Sequence, residues 1–319
     1  MKKINLSKKI ESDEIYSCLI NNRDKIGKDW TFHQWNWLNQ NYDAFNDLMK
    51  YFISIALIRD TLKFYQTLGL VYDYNAYYSY ESLQINKFSI SSLSKEFNLP
   101  KETMRRKLLE LEKSKVIKRK DKKIFFDRSA FNLFKPNKQI NITSKYLSKI
   151  SSLLFEEKKL DKVISHEEIA SKIKKDFSRI WLWFYEFQIP IMINWKYVFK
   201  DLNIFYIFWT LALNQTYNYN NSKNSKEIEF MNLDKYAEEV LGYSGLGLNI
   251  MSISEMTKIP RATVIRKIKF LEDKKLVNSN SKKQYFITPN IVKKFIPAIK
   301  DNFKFKSVFI SKVINTIIV

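Results

Sequence analysis

Five glycines and six prolines in 319 residues leave this chain almost without the residues that sharp turns require. Glycine supplies the positive φ of tight hairpins and phosphate-cradling loops, and proline presets turn geometry. Sandwiches, barrels and nucleotide-binding loops depend on such turns, so a mainly α-helical protein is expected. Hydrophobic residues make up 45% of the sequence and aromatics 15%. That is ample material for a core and the reverse of a disordered composition. The length exceeds one ordinary compact domain and suggests two.

The chain repeats itself. Shifted by 160 positions, Ile90–Phe126 falls on Ile250–Phe286 without a gap, and 13 of the 37 positions are identical. The matches include Pro100/Pro260, Arg106/Arg266, Lys107/Lys267, Leu111/Leu271, Lys115/Lys275, Lys122/Lys282, Lys123/Lys283 and Phe126/Phe286. Weaker echoes lie upstream at an offset of 154, where Glu14-Ile15-x-Ser17 meets Glu168-Ile169-x-Ser171 and Phe45-x-Asp47-Leu48 meets Phe199-x-Asp201-Leu202. The change of offset requires six extra residues in the second copy, expected in the polar stretch Tyr217–Lys226. A duplication into halves 1–145 and 146–319 follows, with extra helices at the start of each half. Asp43–Leu68 has Phe45, Leu48, Met49, Phe52, Ile55 and Ala56 at helical spacing, and Trp195–Leu213 is its counterpart. Gly69 and the polar run after Leu213 are expected to end these helices.

The formal charge is +22 with a pI near 9.7, which favours a polyanionic partner. Residues 101–123 hold eleven Lys/Arg against four Asp/Glu, and residues 261–283 hold eight against two. The repeated segments therefore carry 13 of the 22 net charges.

In the second copy a short helix with Ile253 and Met256 turned inward reaches Lys258, and a brief turn leads to Pro260. Proline is tolerated in a helix's first turn, so a second helix is expected from Arg261 to Lys274, with Val264, Ile268 and Leu271 buried. Its other face presents Arg261, Arg266 and Lys269, with Ala262 and Ile265 able to pack on thymine methyl groups. The first copy buries Leu93, Phe97, Met104, Leu108 and Leu111 and exposes Lys101, Glu102, Arg105, Arg106 and Leu109. Short apolar strands then flank a polar tip, Lys118–Lys123 in the first copy and Asn278–Lys283 in the second. Arg119 and Lys120 belong to the first tip. A helix sized for the major groove, followed by a basic hairpin able to reach phosphate, is the layout of a winged helix-turn-helix.

The segments LPKETMRRKLLELEKSKVI and IPRATVIRKIKFLEDKKLV resemble the recognition helices of bacterial MarR-type winged-helix regulators. The resemblance covers about 40 residues per copy. It implies that Arg106 and Arg266 stand at the recurrent recognition-helix arginine, and that Lys101/Arg261 and Arg105/Ile265 stand at base-facing positions. It places Lys120, Lys122, Lys123, Lys282 and Lys283 in the wing. Two departures stand out: family members dimerise to offer two units where this chain already has two, and Lys115 and Lys275 replace the glycine between recognition helix and wing. The fold expected is duplicated winged helix-turn-helix domains, each a three-helix core with a small hairpin wing, over residues 43–135 and 195–300.

Other chemistry is sparse. His33 sits in a tryptophan-rich stretch and reads as packing, and Ser165 with Glu168 reads as a helix-capping box around His166. No metal-ligand spacing, Walker loop, dinucleotide fingerprint or nucleophile elbow occurs, so neither enzyme activity nor a cofactor is expected. The glycines Gly242, Gly245 and Gly247 read as a linker. The lone Cys18 and the lack of a signal-peptide core suit the cytoplasm, and the most apolar run, Leu202–Leu213, is too short to span a membrane. The aromatic runs Trp181–Phe187 and Phe205–Trp209 read first as core, with an effector pocket or a homodimer interface as the alternative. The expected partner is double-stranded DNA and the expected role transcriptional regulation. The alternatives are a plasmid-type replication initiator and a winged-helix protein-interaction scaffold.

Overall fold

The computed structural model describes residues 9–222, 235, 238–240, 243, 245–288 and 292–318. It is mainly helical, at 73% helix, with two small antiparallel sheets. The first half runs α1 (Ser12–Asn21), α2 (Arg23–Phe45), α3 (Leu48–Thr67), α4 (Tyr74–Ser79), β1 (Ser82–Gln84), α5 (Ile90–Glu96) and α6 (Lys101–Lys113). The hairpin strands β2 (Ile117–Lys120) and β3 (Lys123–Asp127) follow, then α7 (Arg128–Phe131) and α8 (Asn137–Glu156). The second half runs α9 (His166–Lys175), α10 (Phe177–Phe199), α11 (Leu202–Ser222), α12 (Ile250–Thr257), α13 (Arg261–Asp273), β4 (Val277–Ser279), β5 (Tyr285–Ile287) and α14 (Val292–Ile318).

The repeat extends to the helix ends. Helices α1 and α9 have 10 residues each, and α2 and α10 have 23 each, every end displaced by 154. Helices α6 and α13 have 13 residues each, displaced by 160. The long helices expected at Asp43–Leu68 and Trp195–Leu213 are each broken in two. Asn46 and Lys200 take left-handed conformations that stop α2 and α10, and the next residue caps the following helix. Asp47 accepts from Met49 N at 2.8 Å, and Asp201 accepts from Asn203 N at 2.7 Å. Gly69 ends α3 as expected, at φ 69°. Helix α11 runs past Leu213 to Ser222, so Tyr217–Ser222 is helix rather than loop; residues 223–226 lie outside the described residues.

The last helices correspond too, at an offset of 163. Buried Gln139, Ile140, Thr143, Ser144, Tyr146 and Leu147 of α8 match buried Asn302, Phe303, Lys306, Ser307, Phe309 and Ile310 of α14. Residues 145 and 146, where the two halves were expected to meet, both lie inside α8.

The halves interlock. Helix α2 packs on α11 and, reciprocally, α10 packs on α3; α8 covers α2 and α9, while α14 covers α10 and α1. Such an exchange, in which element i of one half meets element j of the other and j meets i, is the signature of a two-fold relation. Ile10 N donates to Asn315 Oδ1 at 2.9 Å, tying the start of the described chain to its end. One apolar core runs through both halves. The aromatic runs are spent inside it: Trp181, Phe184, Tyr185, Phe187, Phe205, Tyr206 and Phe208 are all buried. No described helix is long and apolar enough to cross a membrane.

His33 is buried against α8, with Nε2 2.9 Å from Thr143 Oγ1 and 2.8 Å from Gln139 Nε2. Burial, with a smaller contribution from the nearby Lys306, pushes its pKa down to about 3, so it is a neutral packing residue at physiological pH. Ser165 caps α9 by accepting from Glu168 N at 3.1 Å. The Glu168 carboxylate accepts from Lys162 Nζ at 3.1 Å.

Candidate nucleic-acid interface

Each repeated unit is built the same way. Ser89 accepts from Ser92 N to open α5, and Asn249 accepts from Ser252 N to open α12. At the turn that follows, Asn98 and Lys258 adopt positive φ, and the hydroxyls of Ser94 and Ser254 donate to the carbonyls of Leu99 and Ile259. Pro100 and Pro260 stand one residue ahead of the next helix, at its N-cap, where extended backbone and no N–H suit the site.

Helices α6 and α13 bury the expected apolar faces, Met104, Leu108 and Leu111 in one and Val264, Ile268 and Leu271 in the other. They also turn the repeated lysine inward, Lys267 buried and Lys107 half-buried. Lys107 pairs with Asp47 and Lys267 with Asp201, so the aspartate that caps α3 or α11 also grips the helix after the turn. This is the role of two identities that reading the basic helix alone could not separate from surface charge. The only signal was the Asp47/Asp201 match at the other offset.

Each basic helix ends in the same cap. Lys115 and Lys275 hold φ of 57° and 56°, in the left-handed region where glycine is the usual choice. Val116 N donates to Leu111 O at 3.0 Å and Leu276 N to Leu271 O at 2.9 Å. A conformation that usually calls for glycine is thus taken up by lysine.

The hairpins differ by one residue. In the first, Lys120 pairs with Lys123 across a two-residue turn, Asp121-Lys122, with both φ positive. In the second, Ser279 pairs with Tyr285 and Asn280 N donates to Gln284 O, leaving a three-residue tip in which Lys283 is left-handed. The ungapped alignment therefore fails beyond the tip. Asp127 N donates to Val116 O, and its counterpart Thr288 N donates to Leu276 O, an offset of 161 on the return strand. The buried Phe126 corresponds to the buried Ile287, while Phe286 is only half-buried. Phe286 lies over Gly247, where an added Cβ would sit 2.7 Å from its ring, so this glycine is a close-packing position rather than a linker residue. A third strand, β1, pairs with β3 in the first unit; among the described residues of the second, one bridge joins Leu248 to Tyr285 in its place.

All sixteen candidate contact residues are exposed: Lys101, Glu102, Arg105, Arg106, Lys118, Arg119, Lys120, Lys122 and Lys123 in the first unit, and Arg261, Ala262, Ile265, Arg266, Lys269, Lys282 and Lys283 in the second. Their charges are not equally free. Arg105 pairs with Glu102 at 2.9 Å and Arg106 with Glu110 at 3.9 Å, while Lys118 and Arg119 pair with Asp127 and Glu112. The Lys118 ammonium and the Ser129 hydroxyl hold the Asp127 carboxyl down at about 2. In the second unit Arg261, Arg266, Lys269, Lys282 and Lys283 have no ion-pair partner among the described residues. The exposed Lys113, Lys115, Lys274 and Lys275 add charge where each helix meets its hairpin. Ile265, 49% exposed, is the apolar residue that stands on the second basic face.

Each turn is held by the opposite half: Lys196 of α10 donates to Asn98 O at 3.1 Å, and Asp43 of α2 pairs with Lys258 at 2.7 Å. Among the described residues no cluster of His, Cys, Asp and Glu could hold a metal ion. No protein-family model, curated protein or solved structure matches this chain.

Proposed function

We propose that this protein binds double-stranded DNA through two winged helix-turn-helix units in a single chain and acts as a transcriptional regulator. The observation that carries this reading is the doubled pairing of an exposed basic helix with a basic hairpin, mounted on halves that exchange packing partners like the subunits of a two-fold dimer. Lysines and arginines of the helices and hairpins supply phosphate contacts, and side chains near the starts of α6 and α13 read base edges. Units related by a two-fold axis read half-sites in opposite directions, so the site is an imperfect inverted repeat bound by one chain. Imperfection follows because Arg105 and Leu109 stand opposite Ile265 and Lys269.

Selection of bound sequences from a random duplex library is expected to return two spaced, inverted, non-identical half-sites. If about eight phosphates are neutralised, log affinity falls against log salt with a slope of roughly −7. Arg106→Glu with Arg266→Glu, in a variant that keeps its melting transition, is expected to abolish binding. Unchanged DNA binding by that folded variant overturns the proposal and leaves the units as protein-interaction surfaces.

A further inference from the structure

The two-fold relation breaks down at one buried place. In the first half, the Gln139 amide and Thr143 hydroxyl of α8 meet His33, and Trp181 and Tyr185 of α10 fill the space beside Gln139, leaving a void of only about 50 Å³. At the equivalent place in the second half, the positions of Trp181 and Tyr185 are taken by Gly27 and Thr31, 154 residues earlier, and a cavity of about 130 Å³ opens. Asn302 and Lys306 of α14 stand where Gln139 and Thr143 stand in α8, and both line this cavity.

The lysine is out of place in an apolar wall. Lys306 is 2% exposed, and its Nζ lies 4.0 Å from the Trp30 ring centroid and 3.8 Å from that of Phe303. No carboxylate or hydrogen-bond acceptor reaches it among the described residues. Asn302 is 6% exposed, with Oδ1 lacking a donor. A second cation, Arg23, also lines the cavity and donates from Nη1 to Ile20 O at 2.6 Å. Buried polar atoms without partners are costly and rare. A buried amino group with no acceptor, at the wall of an apolar hollow, points to an anionic ligand that completes it.

We propose that this cavity binds a small apolar carboxylic acid, with its carboxylate on Lys306 and its hydrocarbon body among Trp30, Trp195, Trp209 and Phe295. The size fits one ring, since an apolar protein cavity of about 150 Å³ accommodates benzene. The two aromatic rings flanking the ammonium favour the cation and leave its outer side for the acid. Desolvation lowers the Lys306 pKa well below its usual value and a neighbouring carboxylate raises it, so binding is coupled to proton uptake. This inference is independent of the DNA-binding reading.

Calorimetric titration of the full chain with benzoate, 4-methylpentanoate and toluene tests it, run in phosphate and in Tris to count protons. The carboxylates are expected to bind at least tenfold more tightly than toluene, with up to one proton taken up. Lys306→Met is expected to lose carboxylate binding at least tenfold while keeping toluene. Gly27→Trp, or the smaller change Thr31→Tyr, copies the filled half and is expected to lose both ligands with the melting transition retained. Toluene binding as tightly as benzoate to the unaltered chain reduces the cavity to an apolar void and overturns the proposal. So does the absence of carboxylate binding at millimolar concentration, or unchanged benzoate binding by Lys306→Met.

Discussion

A glycine-poor chain still needs left-handed backbone, and here seven lysines supply it at φ between 56° and 62°, against one described glycine, Gly69. A Cβ in that region costs roughly 1–2 kcal/mol, only partly offset by the roughly 0.5–1 kcal/mol that glycine loses in chain entropy. Lys115→Gly and Lys275→Gly are therefore each expected to stabilise the fold by about 0.5 kcal/mol. Urea midpoints measure this, and a midpoint at or below that of the parent would show that the caps carry no strain. His33 gives a pH dependence. Its folded pKa, about 3, lies below the unfolded value near 6.5, so the unfolded chain takes up a proton that the native state refuses. Stability contributed by this site is present above pH 6.5 and is lost as pH falls toward 3. The stability advantage over His33→Gln is expected to shrink from pH 7 to pH 4; a constant difference contradicts a neutral buried imidazole. Sequence reading placed His33 among packing residues, but it treated Lys115 and Lys275 as departures from a glycine pattern and did not give any of the seven lysines a left-handed conformation. It could not see that Lys107 and Lys267 point inward, because their partners Asp47 and Asp201 belong to the echo at the other offset.

At the scale of elements, the paired helices were legible because their apolar residues recur at helical spacing and a proline punctuates the start of the second. The second hairpin was misread beyond its tip for a physical reason. One residue added to a tip is locally cheap but turns every following side chain to the other face. The Phe126/Phe286 identity then matches residues that are not equivalent in space. Truncation separates the two alignments. Phe126→Ala and Ile287→Ala each remove a fully packed side chain and are expected to cost about 3 kcal/mol. Phe286→Ala removes a half-buried ring above Gly247 and is expected to cost about half as much. If Phe286→Ala proves as damaging as Phe126→Ala and Ile287→Ala is mild, the return strand has the ungapped register instead.

At the scale of the molecule, periodicity shows that a helix face is buried but not which half covers it. The exchange of partners between halves was therefore not legible in the sequence, although the repeat itself was. It has a direct consequence for folding. Helix α8 closes over α9 of the other half, and Ser148 Oγ and Ser151 Oγ donate to Ile164 O at 2.8 and 3.1 Å; α14 closes over α1 in return. Neither half alone covers the apolar faces of its long helices, and a small domain with part of its core exposed has little stability to spare. Residues 1–160 and 161–319, split between α8 and α9, are each expected to be aggregated or unfolded when produced alone. Produced together they are expected to form a one-to-one complex with the melting transition of the intact chain. Two fragments that each show a separate cooperative transition would refute the interlock, because independent folding requires each half to bury its own core.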